Sequence, residues 1–322
     1  MTFAIIILRQ LIHTSFITLK ITLLLHIAAE STLRYQQNAP RGYLDGVPVT
    51  VKDETIMKGY YTSYGTKIFK TISEEDAIVV ERLKAAGAII VGKTTMHELG
   101  LGTSGVNLPF GTPRNPYDTS KYPGGSSSGS AAAVASGLVP IAIGSDGGGS
   151  VRIPASLTGL YGLKATFGRI ARNPCGTCYS VCHIGPLTAT FEDLVLSYSL
   201  IAGPSEKDVF SKNQPPVHAA NLLSGDVKGL RVGVYHDHIK NSSPDVYKSV
   251  LSAIKLLESK GAVIVNITIP HLHVINKAQQ IIITSEIGGG SFKNFGSHFY
   301  DYSPELWLMF GTFVDNACNH VY

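Results

Sequence analysis

Charge is scarce in this chain: only 16% of its 322 residues are Asp, Glu, Lys or Arg, against about 25% in an ordinary globular domain. The net charge of +4 is spread along the sequence without a basic block. A surface that tracks nucleic-acid phosphates needs clustered Lys and Arg, so nucleic acid is excluded as a partner. Four cysteines cannot form a disulfide scaffold at this length. No run of about 18 uncharged apolar residues occurs, so no standard spanning helix is predicted. The start has no basic n-region, and Ala28 and Ala29 offer only a weak small-residue site, so a signal peptide fits poorly. No internal repeat is present.

Apolar mass and glycine are plentiful. Hydrophobic residues make up 44%, enough for a sizeable core and too many for intrinsic disorder. Of the 33 glycines, 15 fall between Gly100 and Gly168, where an even spread would put roughly seven. Tight backbone is needed there, and the chemistry is sought there.

The patterning alternates strand and helix. Val47–Lys52 is β-branched and alternating, which predicts a strand ending at Lys52. Ser73 is read as the N-cap of a helix to about Ala86 that Gly87 stops. Strands are predicted at 88–91, 140–144, 230–235 and 263–269, and an Ala-rich helix at 130–136. Ser243 and Pro244 open a helix through Ser259, and 304–321 reads as helical. This alternation specifies an α/β class. Lys52 and Ser150 both fall at or just past the carboxyl ends of strands, the edge where ligands collect in open α/β sheets.

Two glycine–serine motifs carry the chemistry. The first, Gly124-Gly125-Ser126-Ser127-Ser128-Gly129-Ser130, lacks the lysine of a phosphate-binding loop. It also lacks the preceding strand of a nucleophile elbow. A flexible linker would not be fused to an Ala-rich helix. The second runs Ser145-Asp146-Gly147-Gly148-Gly149-Ser150-Val151-Arg152-Ile153-Pro154. Three successive glycines can aim backbone N–H groups at a developing oxyanion, with Ser150 as a candidate nucleophile. The plainer alternative is a glycine turn with Asp146 and Arg152 as a structural ion pair. Lys52 alone reads as a surface charge. His97 and His183 have no Ser-His-Asp context. Cys175, Cys178, Cys182 and His183 do not follow a zinc pattern, and buried thiols beside a pocket are expected instead.

Taken together, these residues resemble the amidase signature family. The match is carried by 124–154, with a spacing of 24 from Ser126 to Ser150, and is extended by 92–99 and 159–164. It covers the chain from about Ala29 to at least Pro270. Ser128, Gly147 and the contexts 97–100 and 114–116 look most like the plant-type fatty acid amide hydrolases. The resemblance implies an α/β amidase signature fold, a mixed β-sheet covered by helices on both faces. It implies a domain over 30–322 that is incomplete at its C-terminal end, after an atypical apolar segment at 1–29.

It also implies a serine hydrolase of linear amides. Ser150 is then the nucleophile, Ser126 a bridging serine on a cis peptide bond, and Lys52 the base. Gly147, Gly148 and Gly149 supply the oxyanion hole, and Met96 lines the substrate cavity with Ser126. No metal and no cofactor are implied. The expected partner is a small-molecule amide of lipid-like character, such as a fatty acid amide or N-acylethanolamine; a homodimer and peripheral membrane contact stay open. Two rivals remain: a glutaminase subunit that supplies ammonia to an amidotransferase partner, and a truncated non-catalytic relative that binds lipid or a partner. A lysine base working near neutral pH must give up a proton that free lysine keeps to about pH 10.4. Burial among uncharged hydroxyls favours that loss, and on this reading Asp53 and Glu54 point away from Lys52.

Overall fold

The structure is a computed structural model that describes residues 15–69, 71–172, 180–217 and 225–309. The contacts separate two compact units, Ala220–Gln279 and the remainder of the chain.

In chain order the larger unit contains β1 (Phe16–Leu19), α1 (Ile21–Gln36), β2 (Pro48–Lys52), β3 (Tyr61–Thr62), β4 (Thr71–Ile72), α2 (Ile78–Ala85), β5 (Ile89–Thr94), α3 (Ser128–Ala135), β6 (Ile141–Asp146), α4 (Arg152–Leu157), β7 (Tyr161–Gly162), β8 (His183–Thr188) and α5 (Phe191–Ile201). Six of the strands form one mixed sheet in the order β1-β5-β2-β6-β8-β7. Its centre, β5-β2-β6, is parallel, and antiparallel pairs flank it on both sides. α1 runs without a break through residue 29, and β1 before it pairs with β5. The apolar start expected at 1–29 therefore contributes an edge strand from its described part.

Side-chain alternation in β2 sorts the two faces. Val49 and Val51 join Ile90, Ile141, Ile143, Val79, Val80, Leu83 and Ile201 in the main core, which α2 and α5 cover while packing on each other. Thr50 and Lys52 alternate with those valines, and α3 packs against β2, β5, β6 and β8. α3 sits unusually close to the sheet at Gly129. A Cβ there would lie 2.5 Å from Ser15 O and 2.6 Å from Thr95 N, so a larger residue would force the helix off the strands. Every residue of α3 except Ala135 is buried.

The expected helix at Ser73 starts late. Ser73 N donates to Tyr60 O and its carbonyl accepts from Gly59 N, so this residue is held in a ribbon. The Asp76 carboxylate is engaged by Lys58 N and Lys84 Nζ, and α2 begins at Ile78 with Ala77 as its N-cap. Gly87 ends it in the left-handed region, φ 93°.

The smaller unit holds β9 (Arg231–Val234), the short α6 (His236–Ile239), α7 (Pro244–Ser259) and β10 (Val263–Asn266), with β9 and β10 parallel. Pro244 follows the N-cap Ser243 as expected, although the Ser243 side chain makes no capping bond. β10 is shorter than the strand predicted over 263–269. α8 (Leu272–Phe295) follows, and 304–309 is helical; the rest of the predicted 304–321 helix lies outside the described residues. No helix among the described residues is long and apolar enough to cross a membrane.

Candidate active site

Lys52 ends the central strand β2, between β5 and β6. Its side chain is 1% exposed. A buried ammonium must find polar partners, and Nζ donates to Ser126 Oγ and to Ser145 Oγ, each at 2.7 Å. Ser145 lies near the carboxyl end of the adjacent β6. Two neighbouring parallel strands and the loop ahead of α3 thus meet at one amine.

Ser126 follows a cis peptide bond from Gly125. Its carbonyl accepts from His97 N at 3.0 Å, which ties the loop to the segment after β5. A side chain placed on Gly100 would meet Ser126 Oγ at 3.6 Å and Met96 Cε at 3.7 Å. The Ser126 hydroxyl and the buried Met96 thioether therefore border one small space.

The glycine loop after β6 is organised by Asp146, whose side chain is fully buried. Asp146 Oδ1 accepts from Gly149 N at 2.6 Å, and Oδ2 accepts from Val151 N and Arg152 Nε. Burial works against this carboxylate, but Arg152 and the backbone donors outweigh it and hold Asp146 below the usual carboxylate range. Asp146 and Arg152 form the ion pair that the plainer sequence reading anticipates, and it braces the loop. The Gly149 N–H is thereby committed to Asp146, which leaves the oxyanion-hole expectation for Gly149 without a donor; the exposed Gly148 N–H has no such bond. Ser150 is half-buried between this loop and α4, and its carbonyl accepts from Ser127 N at 3.3 Å. Its hydroxyl makes no hydrogen bond to Ser126 or Lys52.

Comparison with known proteins gives the family. The family described as Amidase matches residues 6–319. The chain belongs to the amidase family. Over 249 residues it is 42% identical to a glutamyl-tRNA(Gln) amidotransferase subunit of Limosilactobacillus fermentum, covering 76% of this chain and 51% of that one. Over 272 residues it is 41% identical to fatty acid amide hydrolase of Arabidopsis thaliana, covering 80% and 44%. The chain thus spans about half the length of the curated relatives it matches. The solved peptide amidase of Stenotrophomonas maltophilia superposes with a TM-score of 0.79 at 28% identity, over 90% of this chain and 62% of that one. The amidase signature fold and its α/β class are those expected from the sequence.

Two carboxylates follow Lys52, and they behave differently. Asp53 turns away. Its Oδ2 accepts from Ser63 N, Ser63 Oγ and Gly65 N, and its Oδ1 lies 3.6 Å from Lys93 Nζ. Burial lowers Lys93 to about 8, with Asp53 opposing. Glu54 does not turn away: its Oε1 stands 3.2 Å from Lys52 Nζ. The tight turn after β2, closed by Thr55 N donating to Lys52 O, brings the residue two positions on back against the strand end. Burial raises Glu54 above the usual carboxylate range, with Lys52 opposing.

Ser145 is the contact of Lys52 that sequence reasoning misses, and Glu54 is the neighbour that the reading of Lys52 as base expects to point away. In the sequence, Ser145 reads only as the start of the glycine motif. His97 is buried, and Gly102 packs directly against its ring; desolvation, then the Lys52 charge, lowers it to about 4. Cys182 is buried as expected; Cys175 and Cys178 lie outside the described residues. Among the described residues no group of three or more His, Cys, Asp or Glu could hold a metal ion.

Proposed function

We propose that this amidase hydrolyses linear amides through an acyl-enzyme on Ser150. The observation that carries this reading is the buried Lys52 amine 2.7 Å from Ser126 Oγ, beside a glycine loop that ends in Ser150. Lys52 takes the Ser126 proton as Ser126 takes that of Ser150, and Ser150 Oγ attacks the amide carbonyl. Gly148 N–H, with Gly147 next to it, faces the negative charge that develops on the carbonyl oxygen; each donor of this kind contributes about 3–4 kcal/mol. The proton returns along the same path to the departing amine, and water then releases the acyl group. The open Ser150 hydroxyl does not argue against this path, because such bonds commonly tighten only around bound substrate.

Fatty acid amides are the favoured substrates. Support comes from the match to a plant fatty acid amide hydrolase. The 42% match to an amidotransferase subunit favours a second reading, in which the amide is glutamine and ammonia is passed to a partner. Labelling with a fluorophosphonate, followed by turnover of oleoyl amides against glutamine, separates them. Release of fatty acid supports the first; glutaminase activity supports the second. Folded protein that takes no label on Ser150 removes both.

A further inference from the structure

An ammonium carries three N–H donors, and three oxygens face Lys52 Nζ. Two are the hydroxyls of Ser126 and Ser145 at 2.7 Å. The third is Glu54 Oε1 at 3.2 Å. To act as a base, Nζ must present a lone pair to Ser126, so one of its protons has to leave. A serine hydroxyl does not accept a proton near neutral pH; a carboxylate does. Asp53 faces elsewhere: its Oδ2 accepts from Ser63 and Gly65 and its Oδ1, which has no hydrogen-bond partner among the described residues, lies 3.6 Å from Lys93 Nζ. Glu54 Oε1 is buried, and among the described residues the Lys52 ammonium is the group it pairs with.

We propose that Glu54 is a positioning residue that stores the proton Lys52 must release. One N–H bond of the ammonium breaks and one O–H bond forms on Oε1. A buried ion pair becomes a neutral amine beside a neutral acid, and no other reactant is needed. This inference rests on the reading of Lys52 as the base. Burial of the carboxyl raises Glu54, which favours a protonated acid beside the amine 3.2 Å away.

The store has a kinetic signature. While Lys52 and Glu54 together hold one proton, the fraction with a neutral amine does not depend on pH. The other titratable groups facing the pair are Asp53 and Lys93, which engage each other, the Cys182 thiol beside Glu54 and the His97 imidazole beside Lys52. His97 titrates at about 4 and Lys93 at about 8, and a thiol ordinarily does so at about 8.5. Between about pH 5 and pH 7 the pair is alone.

The test is the rate of fluorophosphonate labelling across that interval for the full chain, Glu54→Gln and Lys52→Ala. A flat wild-type profile is expected. In Glu54→Gln the proton must go to water, so the rate should climb by up to about tenfold per pH unit. A Glu54→Gln profile of wild-type shape, whether at full height or uniformly lower, overturns the proposal. So does a wild-type rate that itself climbs about tenfold per unit, a result that needs no variant to fold. Lys52→Ala labelling at the wild-type rate at every pH would instead refute Lys52 as the base.

Discussion

Residues 124–130 and 145–152 are both glycine–serine loops that run into a helix, yet they are held in opposite ways. In the first, Ser126, Ser127, Ser128 and Ser130 are all buried. Ser126 Oγ accepts from Lys52, and the other three hydroxyls reach the carbonyls of Ser145, Thr95 and Ile143. In the second, Gly148 is exposed and Ser150 half-buried, and a single carboxylate, Asp146, gathers the backbone from within. Order at the first loop is spread over many hydroxyls, so no one bond decides it. At the second it depends on one side chain, and the hydroxyl that would meet a substrate is left unengaged. On the proposed mechanism this is a division of labour: proton handling would sit in the buried loop, and bond formation in the loop that is partly open.

Four experiments sharpen or break that comparison. Ser150→Ala should have the largest effect, about a millionfold loss of turnover with no labelled acyl-enzyme; a trapped adduct in that variant would move the nucleophile out of the second loop. Lys52→Ala should lower turnover by about 10²–10⁴-fold, read as initial rates on the amide that the wild type hydrolyses. Ser126→Ala should fall within the same range but nearer its lower end, about a hundredfold. Wild-type turnover there would mean that no proton passes through the buried loop.

Asp146→Asn should have the smallest effect on rate but a measurable one on stability, about 1.5–3 kcal/mol near neutral pH for lost bonds to a charged group. The sign with pH follows from the lowered value of Asp146. Its stabilisation is complete above the ordinary carboxylate pKa of about 3.9 and fades as pH falls towards the lower folded value. Thermal unfolding of the two proteins at about pH 7 and about pH 3 checks it. The gap should narrow in acid, and a constant gap would show that Asp146 acts through packing rather than charge.

Much of this is legible in the chain. The strand ending at Lys52 is readable because a β-branched alternating run has few other outcomes, and the helix after Gly124–Ser130 because its alanines favour helix. What escapes depends on contacts distant in sequence. Glu54 reads as a neighbour that should avoid Lys52, and only the turn closed by Thr55 N reverses it. Ser145 is 93 positions from Lys52, and parallel pairing of β2 with β6 is what joins them. The start of α2 shifts because Ser73 has a backbone partner in another ribbon, a competitor that local capping rules do not see. The commitment of Gly149 to Asp146 is of the same kind: three glycines in a row announce available donors, but not which of them another side chain has already taken.

Lys52 stands at the end of a strand hydrogen-bonded on both sides, at the middle of the six-stranded sheet. Fraying that begins at an edge must unzip β1 and β5 from one side, or β7, β8 and β6 from the other, before it loosens this residue. Amides flanking it should therefore exchange with solvent only in the rarest openings. Gentle heating should then leave the amine in register until the larger unit melts, so that activity vanishes over the same few degrees as the sheet.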